Sequence, residues 1–187
     1  QNPIKNNNTY LLYKKGWEGI NVDLDKDNIK LFNSARPNDY NLTKAVSSEV
    51  KDVDLYFYHS KSPINTIDKK TSEFQNAKVS SIKKIKTDTL NNIISYTKYK
   101  DRSIDLLSID VEGHELEVLK GFDLTKYKPK VIVVEYLDLN VSKLEIKNLT
   151  LKDVTHTEIY KYLSSKDYIL VNSIYCDLVF VNKRFRD

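Results

Sequence analysis

Apolar residues recur along this chain at alternating strand and helix spacings. A helix begins at Asn8 or Thr9, either of which can cap it, and runs to about Lys15, where Gly16 ends it. Residues 19–23 read as a short strand with Asp23 at its carboxyl end. Ile29 and Phe32, three apart, predict a helix over 25–34, with Asp25 at its positive end. A turn around Pro37 leads to a strand over 41–46 that ends in Ser47-Ser48. Val53, Leu55 and Phe57 alternate with their neighbours and predict a strand over 53–59. Residues 60–79 are polar, contain Pro63 and lack a period, so they read as a mobile loop or lid. An edge strand over 82–85 follows, then a helix carrying Leu90, Ile93 and Ile94 that Thr87 or Asp88 caps. A buried strand over 104–109, a helix after Gly113 and a strand over 131–135 come next, with Gly121 placed for a left-handed helix cap. Residues 137–156 form a second loop, 157–164 a short helix, and 168–174 with 177–182 a closing hairpin.

Strands that alternate with helices imply an α/β fold, a mainly parallel sheet with an antiparallel edge. In such sheets ligands bind beyond the carboxyl ends of the strands. Asp110, Glu112 and Glu115 crowd one of those ends, and Glu135 closes the adjacent strand, facing the same crevice. Acids gathered there are costly unless they serve a cation, a polar ligand or proton transfer. Hard oxygen ligands so placed could hold magnesium or calcium. Without metal, they would position a hydroxyl and take its proton. Asp23 has two equal roles by position: accepting hydrogen bonds from a ribose diol, or opening the next helix as an exposed acid. An unperturbed histidine titrates near neutrality, which would suit His114 to general-base work, but it is expected instead to face solvent at a helix start. Glu115 suits the amino end of that helix. Tyr56, Phe57 and Tyr58 suit packing or an aromatic wall, and Trp17 suits packing between helix and sheet.

The run Leu-Leu-Ser-Ile-Asp-Val-Glu-Gly-His-Glu-Leu-Glu-Val-Leu-Lys-Gly, residues 106–121, resembles the signature of FkbM-family S-adenosylmethionine-dependent methyltransferases. Residues 8–23 look like that family's first helix and second strand, and Lys130 to Glu135 resemble the strand after the signature. The resemblance implies a Rossmann-like class I methyltransferase sandwich: a mainly parallel seven-stranded sheet with an antiparallel carboxyl-terminal hairpin. It implies S-adenosylmethionine as cofactor and methylation of a small-molecule or sugar hydroxyl. It places the ribose at Asp23 with Leu24 beside it, and the adenine along Ala45 to Ser48, Ser47 included. It places the methionine end near Asn8 and Thr9, and Asp110 against cofactor and acceptor. Asp110, Glu112 and Glu135 are then the catalytic set, with no metal ligand assigned and a divalent ion not assumed. Family members carry a glycine-containing loop before a stretch resembling Asn2-Pro3-Ile4. The four glycines, Gly16, Gly19, Gly113 and Gly121, form no such loop. A single amino-terminally truncated domain, residues 1–187 with its first strand missing, is therefore expected.

Composition narrows the picture further. A chain of 187 residues suits one domain with a sizeable core. The net charge of +4 is spread over many lysines rather than gathered in a block, which reads as a solvated surface, and nothing in it argues for nucleic-acid binding. No apolar run reaches the length of a membrane span. Cys176 is the single cysteine, so no internal disulfide can form, and a reducing, cytoplasmic setting is expected. The alternative to an enzyme is a non-catalytic module that binds a small molecule or nucleotide on the same fold. Oligomeric state has no sequence signal here.

Overall fold

Strand and helix alternate through the described residues, 2–137 and 150–186, of the computed structural model. The order is α1 (Tyr10–Lys14), β1 (Ile20–Asp23), α2 (Lys26–Ala35), β2 (Tyr40–Thr43), β3 (Ala45–Val46), β4 (Asp52–Phe57), α3 (Lys69–Phe74) and β5 (Ser81–Asp88). Then come α4 (Leu90–Ser95), β6 (Leu106–Ile109), α5 (Glu115–Lys120), α6 (Leu124–Tyr127), β7 (Val131–Glu135), α7 (Leu151–His156), α8 (Glu158–Ser164), β8 (Tyr168–Ile174) and β9 (Asp177–Asn182). No helix among the described residues is long and apolar enough to cross a membrane.

The fold is mixed α/β, but its strands form separate sheets rather than one seven-stranded sheet. β1 pairs parallel with β2, β3 parallel with β5, and β6 parallel with β7. The hairpin β8–β9 adds antiparallel to β7, giving the order β6-β7-β9-β8. Ile132, Val134, Leu178 and Phe180 on the central strands are fully buried, beneath Leu119 of α5, Val154 of α7 and Leu163 of α8. β1 and β6 do not pair with each other; both line one cavity of about 400 Å³.

Several local expectations change for identifiable reasons. The strand expected over 41–46 breaks at Lys44, because β2 pairs with β1 whereas β3 pairs with β5. The expected edge strand over 82–85 is β5, which lies between β3 and β4. Thr89, not Thr87 or Asp88, caps α4 by accepting from the Asn92 amide. The stretch 60–79 contains α3 and buries Ser62, Asn65, Thr66, Thr71 and Ser72. Ser62, Asn65, Thr66 and Ser72 are hydrogen-bonded, whereas the Thr71 hydroxyl finds no partner among the described residues; polar burial of this kind leaves no apolar period. Gly121 has φ −81, so it is not left-handed. It is small because a Cβ there would lie 2.3 Å from the Ser47 carbonyl oxygen. Trp17 is 44 % exposed at the cavity rim rather than packed between layers. The second expected loop carries α7, and its residues 138–149 lie outside the described residues.

Arg36 ties the first segment of the chain to this framework. Only 1 % exposed, it sits beside Phe32, Tyr10 and Tyr13, each ring centre within 5.6 Å of the guanidinium carbon. Its Nε and Nη2 donate to the Pro3 carbonyl, Nη2 also to Asn7 Oδ1, and Nη1 to Thr9 Oγ1. Asp39, 3.8 Å away, supplies the compensating charge. Arg36→Met should lower unfolding free energy by roughly 3–5 kcal/mol, because it strands a buried partner charge. Arg36→Lys should recover only part of this, since one ammonium cannot copy the planar fork. Urea unfolding checks both; an unchanged midpoint in Arg36→Met would remove Arg36 from this role.

Candidate active site

Two parallel strands deliver the acids. In the β6–β7 register Ile109 lies opposite Val134, so Asp110 and Glu135 emerge side by side at the carboxyl ends. Glu112 follows in a tight turn with φ +57, and Gly113 continues it at φ +94. The Glu115 carboxylate, only 3 % exposed, closes the turn by accepting from the Val111 and Gly113 amides. This confirms Glu115 at the amino end of α5, but its partners lie upstream of the helix. One carboxylate oxygen from each of Asp110, Glu112 and Glu135 lies within 4.8 Å of the others.

That crowding has an electrostatic cost. Burial first, then the charges of Asp110 and Glu115, push Glu112 up to about 8. Burial, then Asp110 and Glu112, push Glu135 up to about 9. Cys176 donates its thiol to Glu135 Oε1 at 3.3 Å, while the buried Oε2 finds no hydrogen-bond partner among the described residues. Burial and the adjacent Glu135 raise the Cys176 thiol to about 12, so it serves as a donor rather than a nucleophile. Burial, and then Asp110, also raise Asp177. The trio suits one shared proton or one hard cation.

Two cavities meet at this point. The larger, of about 400 Å³, is lined by Asn8, Thr9, Asp23 and Asp110 among others. The smaller, of about 110 Å³, is lined by Asp23, Leu24, Asn28, Asp110, Glu112 and His114. Val22, Asp23, Val46, Asp110 and Val111 belong to both linings. The Asp23 carboxylate is aimed by the Asp25 amide at 2.8 Å and the Asn28 side-chain amide at 3.0 Å. Asn8 reaches across to Ser108 of β6 at 3.3 Å. Ser47 is fully buried and lines neither cavity; its hydroxyl lies 2.9 Å from His114 Nε2. His114 therefore faces inward, not to solvent as expected, and burial lowers its pKa toward the neutral ring. Glu135 completes the trio without lining either cavity.

The sequence did not point to Thr66, Cys176 or Asn28 as members of this region. Thr66 donates its hydroxyl to the Glu112 carbonyl at 2.8 Å from 46 residues away. No periodicity reports such a contact. Asn28 was legible only as a polar position in a helix one turn beyond Asp23.

Two outcomes follow from these contacts. A Cβ on Gly113 would fall 2.0 Å from Thr71 Oγ1, on a backbone that already disfavours side chains. Gly113→Ala should cost roughly 2–4 kcal/mol, the sum of overpacking and left-handed strain. Thr71→Ala should recover part of it in the double variant, by urea unfolding; equal losses would mean no clash. The second concerns pH. Glu112 and Glu135 titrate well above their ordinary range in the fold, so the native state holds protons that the unfolded chain releases. Their stabilisation is full below about pH 4 and declines as pH rises toward 8–9. The urea midpoint should fall between about pH 5 and pH 8, and Glu135→Gln should flatten that slope. A level wild-type midpoint would mean that these acids are not protonated by burial.

A family model described as the methyltransferase FkbM domain matches residues 2–170. Comparisons with curated proteins and with solved structures find no match. The matched span takes in Asp23, the turn from Asp110 to Glu115, and Glu135. The chain belongs to the FkbM methyltransferase family.

Proposed function

We propose that the protein is an S-adenosylmethionine-dependent methyltransferase that acts on a hydroxyl of a small molecule or glycan. One observation carries the proposal. Asp23 and Asp110 end two strands of parallel pairs and share the junction of two cavities, in a chain of the FkbM family. The residues fit the cofactor. An aimed carboxylate suits a ribose diol, apolar Val22, Val46 and Val111 suit a nucleoside, and polar Asn8 and Thr9 line the opposite end. When bound, S-adenosylmethionine supplies an electrophilic methyl group at a sulfonium. Asp110 and Glu112 face the cavities and orient the acceptor hydroxyl, while the trio receives its proton. Because Glu112 and Glu135 sit near 8 and 9, the trio holds a proton at neutrality and becomes a better acceptor above it. Asp110, Glu112 and Glu135 could instead hold a divalent ion, which would polarise the acceptor hydroxyl.

The Rossmann-like fold belongs to this proposal too. One further strand between the cavity-facing edges of β1 and β6 would join the two-stranded and four-stranded sheets into a seven-stranded one. Its order would be β2-β1, the added strand, then β6-β7-β9-β8.

Calorimetric titration with S-adenosylmethionine and S-adenosylhomocysteine tests cofactor use. Saturable one-site binding is expected, weakened roughly 100-fold or more by Asp23→Ala, as for two lost hydrogen bonds to a charge. No binding to folded protein would favour the non-catalytic module. Turnover, read as S-adenosylhomocysteine released with a panel of sugar and natural-product hydroxyls, should rise between about pH 7 and pH 9. Glu112→Gln and Glu135→Gln should lower it while sparing cofactor binding; intact turnover in both would remove the trio from catalysis.

A further inference from the structure

Glu112 occupies a backbone conformation that a glutamate does not choose by itself. Left-handed φ at a non-glycine residue persists only when neighbours hold it. Two groups grip this turn from opposite sides. From within, the Glu115 carboxylate takes the Val111 and Gly113 amides. From outside, Thr66 donates its hydroxyl to the Glu112 carbonyl at 2.8 Å. The Thr66 proton is committed there, because the same oxygen accepts from the Asp68 amide at 2.9 Å. Thr66 is itself rigid: 0 % exposed, with its backbone paired in both directions to Tyr56 of β4. Thr71 of the same segment fills the space beside Gly113 that a side chain would take.

That segment also faces the smaller cavity. Ser62, Pro63, Asn65 and Ile67 line it together with Asp23 and Glu112. At its near end it is fastened to the start of α2, where the Lys61 amide donates to Asp25 and the Ser60 hydroxyl to Asp27. A ligand in this cavity therefore touches the segment on both sides of the threonine that holds Glu112.

We propose that Thr66 is a positioning residue: its hydroxyl sets the turn that brings Glu112 to Asp110 and Glu135, and through residues 62–67 it links filling of the nucleoside-side cavity to that placement. The hold stands on the contacts of the ligand-free protein. The link rests on the methyltransferase proposal, because it takes the nucleoside as the occupant.

Labelling glutamate with carbonyl carbon-13 and glycine with nitrogen-15 isolates two peptide bonds, Glu18–Gly19 and Glu112–Gly113. The first is an internal control that Thr66 does not bond, with the Gly19 amide held by Asp39. The second contains the carbonyl that Thr66 bonds. In ligand-free protein, Thr66→Val should move the Glu112–Gly113 signal and speed Gly113 amide exchange about tenfold or more, the worth of one hydrogen bond. The Glu18–Gly19 signal should stay fixed, and Thr66→Ser, which keeps the hydroxyl, should restore both readouts. An unmoved Glu112–Gly113 signal in Thr66→Val, or failure of serine to rescue, would overturn the hold. Saturation with S-adenosylhomocysteine should shift the same signal in wild type and Thr66→Ser but not in Thr66→Val. A shift of equal size in Thr66→Val would overturn the link, as would saturation of wild type without any shift. If the wild-type protein does not bind S-adenosylhomocysteine, the link falls with the methyltransferase proposal, while the ligand-free comparison still decides the hold.

Discussion

A buried carboxylate that accepts two backbone amides shapes the crevice of this protein. Glu115 ties Val111 and Gly113 into the turn between β6 and α5. Without that closure, two amides leaving a buried strand would lack partners, and Glu112 could not be held at a positive φ. Burial raises the Glu115 pKa, while the two amides oppose that rise by stabilising the charged form. The turn thus sets where Asp110 and Glu112 point, and the parallel register of β6 with β7 brings Glu135 beside them. Gly113 completes the motif for steric reasons, since Thr71 occupies the space its side chain would need.

The trio that results is expensive by construction. Three carboxyl groups share a partly buried volume, one Glu135 oxygen has no partner among the described residues, and its other oxygen accepts from a weak thiol donor. A fold selected only for stability would place apolar side chains here. Under the proposed function the cost serves proton transfer, because burial lifts a carboxyl group's affinity for protons toward neutrality. Stability spent on that arrangement is returned by the adjacent core, where Ile132, Val134, Leu178 and Phe180 lie fully buried under α5, α7 and α8.

Arg36 plays the corresponding part on the other wall. The segment before α1 has little apolar surface and no strand of its own, yet it carries Asn8 and Thr9 to the larger cavity. A planar guanidinium can bond Pro3, Asn7 and Thr9 together while stacking among aromatic rings. One fully buried cation thus does for this segment what a sheet edge does elsewhere.

Much of this was legible in the sequence. Apolar period alone located β1, α2, β6, β7, α8 and the closing hairpin, because each buries one face and its neighbours in sequence supply the contrast. The acids at the ends of β1, β6 and β7 were legible for the same reason, since a polar residue ending an apolar run marks a strand terminus. The FkbM signature pointed to the family, and the family model bears that out. Residues whose roles depend on distant partners were not legible: Arg36 read as turn, Thr66 as loop, and His114 as a solvent-facing helix start. Local sequence therefore determined those elements and which acids reach the crevice, through short-range propensity and burial. Tertiary structure alone decided the division of the described strands into three sheets, the inward turn of His114 and the grip of Thr66 on Glu112. Those depend on hydrogen bonds and close contacts between residues tens of positions apart, which no local pattern encodes.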